Sequence, residues 1–68
     1  MTVNEVGKQI RTVRKLQGLT QRELAMTANT AVRFISDLEN GKQTCEIGKT
    51  LHVLNCLGFK VQLHPPLS

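Results

Sequence analysis

Four stretches of the chain repeat apolar residues at helical spacing, and a fifth alternates them. Val6, Ile10, Val13 and Leu16 lie near i, i+4, i+7 and i+10, a single stripe that predicts a first helix over about residues 3–17. Lys8, Arg11, Arg14 and Lys15 fall largely outside that stripe. Thr20 and Glu23 make a T-x-x-E capping box, which predicts a short second helix over about 21–27 with Thr20 as N-cap and with Leu24 and Ala25 pointing inward. A third helix is expected over about 31–39, with Ile35 and Leu38 inward. A fourth is expected over about 45–57, with Thr44 as N-cap, Glu46 suiting the helix dipole in the first turn, Ile47, Leu51, Leu54 and Leu57 as the apolar face, and Val53 at its edge. Gly18, Gly41 and Gly58 each follow a helical pattern where a left-handed residue closes a helix, and Asn29 suits the same position.

After Gly58 the period changes to two. Phe59, Val61 and Leu63 alternate with Lys60, Gln62 and His64, a strand pattern over about 59–64 that Pro65 and Pro66 terminate. A lone strand cannot pair its own backbone groups, and the chain offers no second strand. The same segment of a second subunit is therefore the expected partner, with Phe59, Val61 and Leu63 at a two-fold dimer interface.

Length and charge narrow the possibilities. The 68 residues make room for one domain, 1–68. A domain this small is marginal alone, and dimerisation adds buried area. The net charge of +4 is compatible with a nucleic-acid partner, though it also falls within the range of any soluble small domain. With Phe34 and Phe59 as its only aromatic residues, the chain lacks the stacking platforms of a single-strand binder. No membrane span or signal peptide is expected, which makes the cytoplasm the default location. Cys45 and Cys56 do not form the disulfide framework of a secreted protein. His52 and Cys56 stand at i, i+4, but two ligands do not complete a tetrahedral metal site. The acidic residues and histidines are scattered, and no nucleophile motif or phosphate loop is present. The chain is thus expected to hold no catalytic residues, metal or cofactor.

The informative segment is residues 19–42, LTQRELAMTANTAVRFISDLENGK. A short capped helix, three residues of turn and a second short helix are the arithmetic of a helix-turn-helix. The run L-T-Q-x-E-L-A, then Phe34-Ile35-Ser36 and L-E-N-G-K, resembles the phage-repressor (Cro or XRE) helix-turn-helix family, with Asn29 standing where that family usually has glycine. A narrower set of residues, Val32 to Ile35, Gly41-Lys42, Ile47 to Leu51, Val53-Leu54 and Leu57-Gly58, is similar to the HipB-like antitoxins. That resemblance implies an all-α, four-helix lambda-repressor-like domain with a C-terminal strand pairing across a homodimer. It also implies a palindromic double-stranded DNA operator in the chain's own promoter and a HipA-like kinase toxin as partner. A phage-type repressor with no toxin partner is the alternative.

In such a domain the third helix enters the major groove. Its outward positions are Ala31, Val32, Arg33, Ser36 and Asp37. Arg33 can fork onto guanine O6 and N7, or else contact phosphate. Ala31 can meet a thymine methyl, as can Val32 unless it packs inward. Ser36 can contact base or phosphate. Asp37 can accept from cytosine N4 or hold Arg33, four residues before it. The Gln21 amide and the start of its helix can donate to phosphate, a role the family assigns to this glutamine. Asn40 and Lys42 can reach the backbone, as can Lys8 and Arg11 near the ends of the first helix. Glu39 resembles a structural position paired with a basic residue of the first helix, for which Arg14 is the candidate.

Overall fold

The computed structural model describes residues 2–43 and 46–66. These residues form four helices: α1 (Val3–Leu16), α2 (Gln21–Thr27), α3 (Val32–Glu39) and α4 (Ile47–Cys56). Thr2 caps α1 by accepting from the Glu5 backbone N–H at 3.2 Å. Thr20 and Glu23 form the expected reciprocal box on α2: the Glu23 N–H donates to Thr20 Oγ1 at 3.0 Å and the Thr20 N–H to Glu23 Oε1 at 2.9 Å. Ala31 and Glu46 are the N-caps of α3 and α4 and make no side-chain cap bond. Helix α4 starts two residues later than expected, and the expected cap Thr44 and first residue Cys45 lie outside the described residues.

All four helices end in the same way. The residue after each C-cap has positive φ: Gly18 at 72°, Asn29 at 55°, Gly41 at 74° and Gly58 at 87°. Around each, two amides fold back on the last turn. Gly18 donates to Lys15 O and Leu19 to Arg14 O, and the pattern recurs at Asn29–Thr30, Gly41–Lys42 and Gly58–Phe59. This is the paired 5→2 and 6→1 closure that satisfies orphan carbonyls at a helix C-terminus.

The core joins Ile10 of α1, Leu24, Ala25 and Ala28 of α2 and its C-cap, Ile35 and Leu38 of α3, and Val53 and Leu57 of α4 and its C-cap. Helix α3 packs against both α1 and α2, and α4 lies against α2. Helix α1 approaches α3 closely because Gly7 has no side chain: a Cβ there would collide with the Leu38 carbonyl oxygen.

Two apolar faces differ from expectation. On α1 the buried positions are Gly7, Ile10 and Arg14, while Leu16 is 81% exposed. Leu16 is the last helical residue, and the chain turns away beneath it into the Gly18 closure. On α4, Val53 is fully buried and central, whereas Ile47 and Leu51 are 71% and 43% exposed. At ~100° per residue, Leu51 points roughly opposite to Val53, so one helix face cannot bury both.

The expected strand is not formed within the single chain. Residues 59–65 are neither helix nor strand, and the described residues contain no strand with which they pair. Phe59 packs against the core edge, while Val61 and Leu63 are exposed. No helix among the described residues is long and apolar enough to cross a membrane.

Candidate nucleic-acid interface

Helix α3 divides cleanly into two sides. Ile35, Leu38 and Glu39 are buried against α1 and α2. Arg33 and Asn40 are exposed and Ser36 and Asp37 half-buried on the other side, with Val32 at the border, 38% exposed. Val32 is therefore outside the core. Ala31, the N-cap, is exposed at the start of the helix. The Asn40 Nδ2 donates to Ser36 Oγ at 3.5 Å. Asp37 does not hold Arg33: its Oδ2 lies 3.8 Å from Lys42 Nζ, across the Gly41 closure. Both side chains of that pair are solvated, so the contact is weak and Lys42 can leave it for another anion.

Behind this face lies a buried polar knot. Arg14 Nε donates to Glu39 Oε2 at 2.6 Å and Nη2 to Oε1 at 3.1 Å, the pairing expected from the sequence. Arg14 Nη1 donates to the Leu19 carbonyl at 2.7 Å. Gln21 Nε2 donates to the same Glu39 Oε1 at 3.1 Å. One carboxylate of α3 is thus tied to α1 and to the first residue of α2, while the arginine that holds it is tied in turn to the α1–α2 turn. The hydrogen bonds to Glu39 raise the Arg14 pKa above its already high ordinary value, against the opposing effect of burial. No buried side-chain polar atom among the described residues lacks a partner.

Lys8 and Arg11 are exposed on α1 and take no part in this knot. The expected residues of α3 and its closing turn do share one side of the molecule. Gln21 comes from α2, is half-buried, and is tied to the buried side of α3 through Glu39. Two features escaped the sequence reading. Lys49 of α4 lies 5.7 Å over the Phe34 ring and 3.1 Å from Glu46, beside the start of α3. Ile47 and Leu51 of α4 line one apolar depression with Phe59, Val61 and Leu63. The sequence does carry a signal for the second: α4 has apolar residues on more of its circumference than one buried face requires. On the same helix, Cys56 Sγ lies 3.7 Å from His52 Nε2, and no group of three metal-ligating side chains occurs among the described residues.

A short capped helix, a tight turn at a left-handed residue and a second helix with one buried and one polar side define a helix-turn-helix domain. The helix-turn-helix family profile matches residues 10–45. An HTH-type transcriptional regulator of Sinorhizobium fredii is 48% identical over 65 residues, 96% of this chain and 86% of that protein. The chain belongs to the helix-turn-helix family, of the XRE type that its motifs resemble. A competence pilus inhibition repressor of Acinetobacter baylyi is 46% identical over 39 residues, 57% of this chain and 36% of that protein. No solved structure matches the chain.

Proposed function

We propose that the chain is a sequence-specific transcriptional repressor that binds a palindromic operator as a two-fold dimer. The observation that carries this reading is the outward side of α3, where Arg33 stands exposed between Ala31–Val32 and Ser36–Asp37 while the opposite side is locked into the core. With α3 in the major groove, Arg33 forks onto a guanine, Ala31 and Val32 meet thymine methyls, and Ser36 and Asp37 read neighbouring base edges. Gln21, Asn40 and Lys42 hold the sugar-phosphate backbone on either side. Family membership supports the reading, as do relatives named a transcriptional regulator and a repressor.

The dimer is supported by the surface that a single chain leaves open. Phe59, Val61 and Leu63 alternate along the tail in sequence, and exposed Ile47 and Leu51 of α4 line the same apolar depression. Pairing of two tails gives their backbone groups partners and covers both apolar faces. Recognition helices of such a dimer sit about one DNA turn, ~34 Å, apart. The experiment is operator binding by Arg33→Ala, with the DNA upstream of the chain's own gene as probe. A loss of about 1–3 kcal/mol on that DNA, with little change on random DNA, is expected. Equal losses on both reduce Arg33 to a backbone contact.

A second reading adds a protein partner. The residues shared with HipB-like antitoxins, together with the apolar tail after α4, favour an antitoxin that binds a HipA-like kinase in the cytoplasm and represses its own operon. Affinity purification of the tagged chain from its host tests this. Recovery of a kinase supports the antitoxin role, and recovery of DNA alone leaves a repressor without a toxin.

A further inference from the structure

Given the backbone role of Gln21 proposed above, we infer that Glu39 is a positioning residue for DNA binding: it holds the Gln21 amide in place before DNA arrives. A carboxylate only accepts hydrogen bonds, so the end of the Gln21 amide that faces Glu39 must be its NH2 group. This fixes the orientation of the amide. One N–H is used on Glu39 Oε1 at 3.1 Å, and the second remains for an oxygen of the DNA backbone. The carboxylate is itself immobile. Its side chain is 3% exposed, and Arg14 grips both of its oxygens. The Arg14 guanidinium also balances the charge of Glu39, so the group that orients Gln21 does not repel a phosphate.

Glu39 is thus a bracket between the two helices of the motif. Its backbone belongs to α3, which carries Arg33, and its side chain sets the Gln21 side chain at the start of α2. The distance between the base-reading side chain and the amide that seats the domain is then part of the folded state. A glutamine free in solution has to be ordered when it binds, and that ordering weakens affinity by about 2- to 10-fold for one flexible side chain. Glu39 removes that loss in advance.

The test compares the full chain with Arg14→Met/Glu39→Leu, which exchanges the buried pair for apolar groups of similar size, a change that buried ion pairs commonly tolerate. Thermal melting checks that the fold persists. DNA from upstream of the chain's own gene is the probe, titrated by fluorescence anisotropy. The expected result is an affinity about 2- to 10-fold below the parent, with Gln21→Ala costing less in the double variant than in the parent by the same factor. Arg14→Met/Glu39→Gln, which restores an acceptor for Gln21, should recover the loss. Equal costs of Gln21→Ala in both backgrounds overturn the inference while leaving Gln21 as a backbone contact. No cost of Gln21→Ala in the parent overturns the backbone role itself. In the unaltered protein without DNA, side-chain 15N relaxation of Gln21 should report a restrained amide. An order parameter below about 0.6 overturns the bracket without any mutation.

Discussion

Gly7 and Glu39 are the residues on which the most structure turns. Alanine is the better helix former by about 1 kcal/mol, so Gly7→Ala should stabilise α1 in isolation. In the folded chain the added Cβ meets the Leu38 carbonyl oxygen, a backbone atom that cannot swing aside. The expected outcome of Gly7→Ala is a net loss of about 1–3 kcal/mol, read from chemical denaturation. Glu39→Ala leaves the Arg14 guanidinium buried without its counter-charge, and about 3–5 kcal/mol of destabilisation is expected in the same assay. The Arg14–Glu39 pair was legible in the sequence through the family pattern. The share that Gln21 takes in it was not, because nothing in the spacing of positions 21 and 39 places an amide against a carboxylate.

Among the elements, α2 is the most locally determined. Its capping box closes within four residues and was readable from Thr20 and Glu23 alone. The Thr20 backbone N–H, and second the Thr20 hydroxyl, hold the Glu23 carboxyl below the ordinary glutamate range. A carboxyl whose pKa is lower folded than unfolded contributes stability in full above the unfolded value, about 4.3, and loses it as pH falls through the folded value. Glu23→Gln keeps an acceptor for the Thr20 N–H but removes the charge. The stability gap between parent and Glu23→Gln should therefore be widest above about pH 4.3 and close below it, as followed by thermal melts across that range. Helix α4 is the opposite case. Its apolar residues surround much of the helix, and periodicity alone could not rank Val53 above Leu51. The choice is made by the surface that α2 offers, a tertiary fact. The helix boundaries were legible to within a residue or two because each stop is written as a glycine or asparagine.

For the whole molecule, the proposed dimer makes predictions that sedimentation can check. Val61→Pro removes a backbone donor from the tail, and Leu51→Glu places a charge on the exposed face of α4. Both should leave the helical circular dichroism unchanged while shifting sedimentation equilibrium from dimer toward monomer. A parent that already sediments as a monomer would remove the paired tail from the proposed function. The period-two pattern at Phe59, Val61 and Leu63 was readable in the sequence and pointed to a second subunit as its partner; within the single chain residues 59–65 are neither helix nor strand, so that pairing belongs to the proposed dimer. The four identical helix closures have a consequence for how the chain reaches this state. Each is completed by hydrogen bonds spanning three to five residues, so none of the closures needs a distant segment to complete it. Chains dominated by such short-range contacts fold in microseconds to milliseconds. In the dimer proposed above, each new subunit would therefore be folded well before it met a second one, and pairing, whose rate is set by concentration, would be the slower of the two steps.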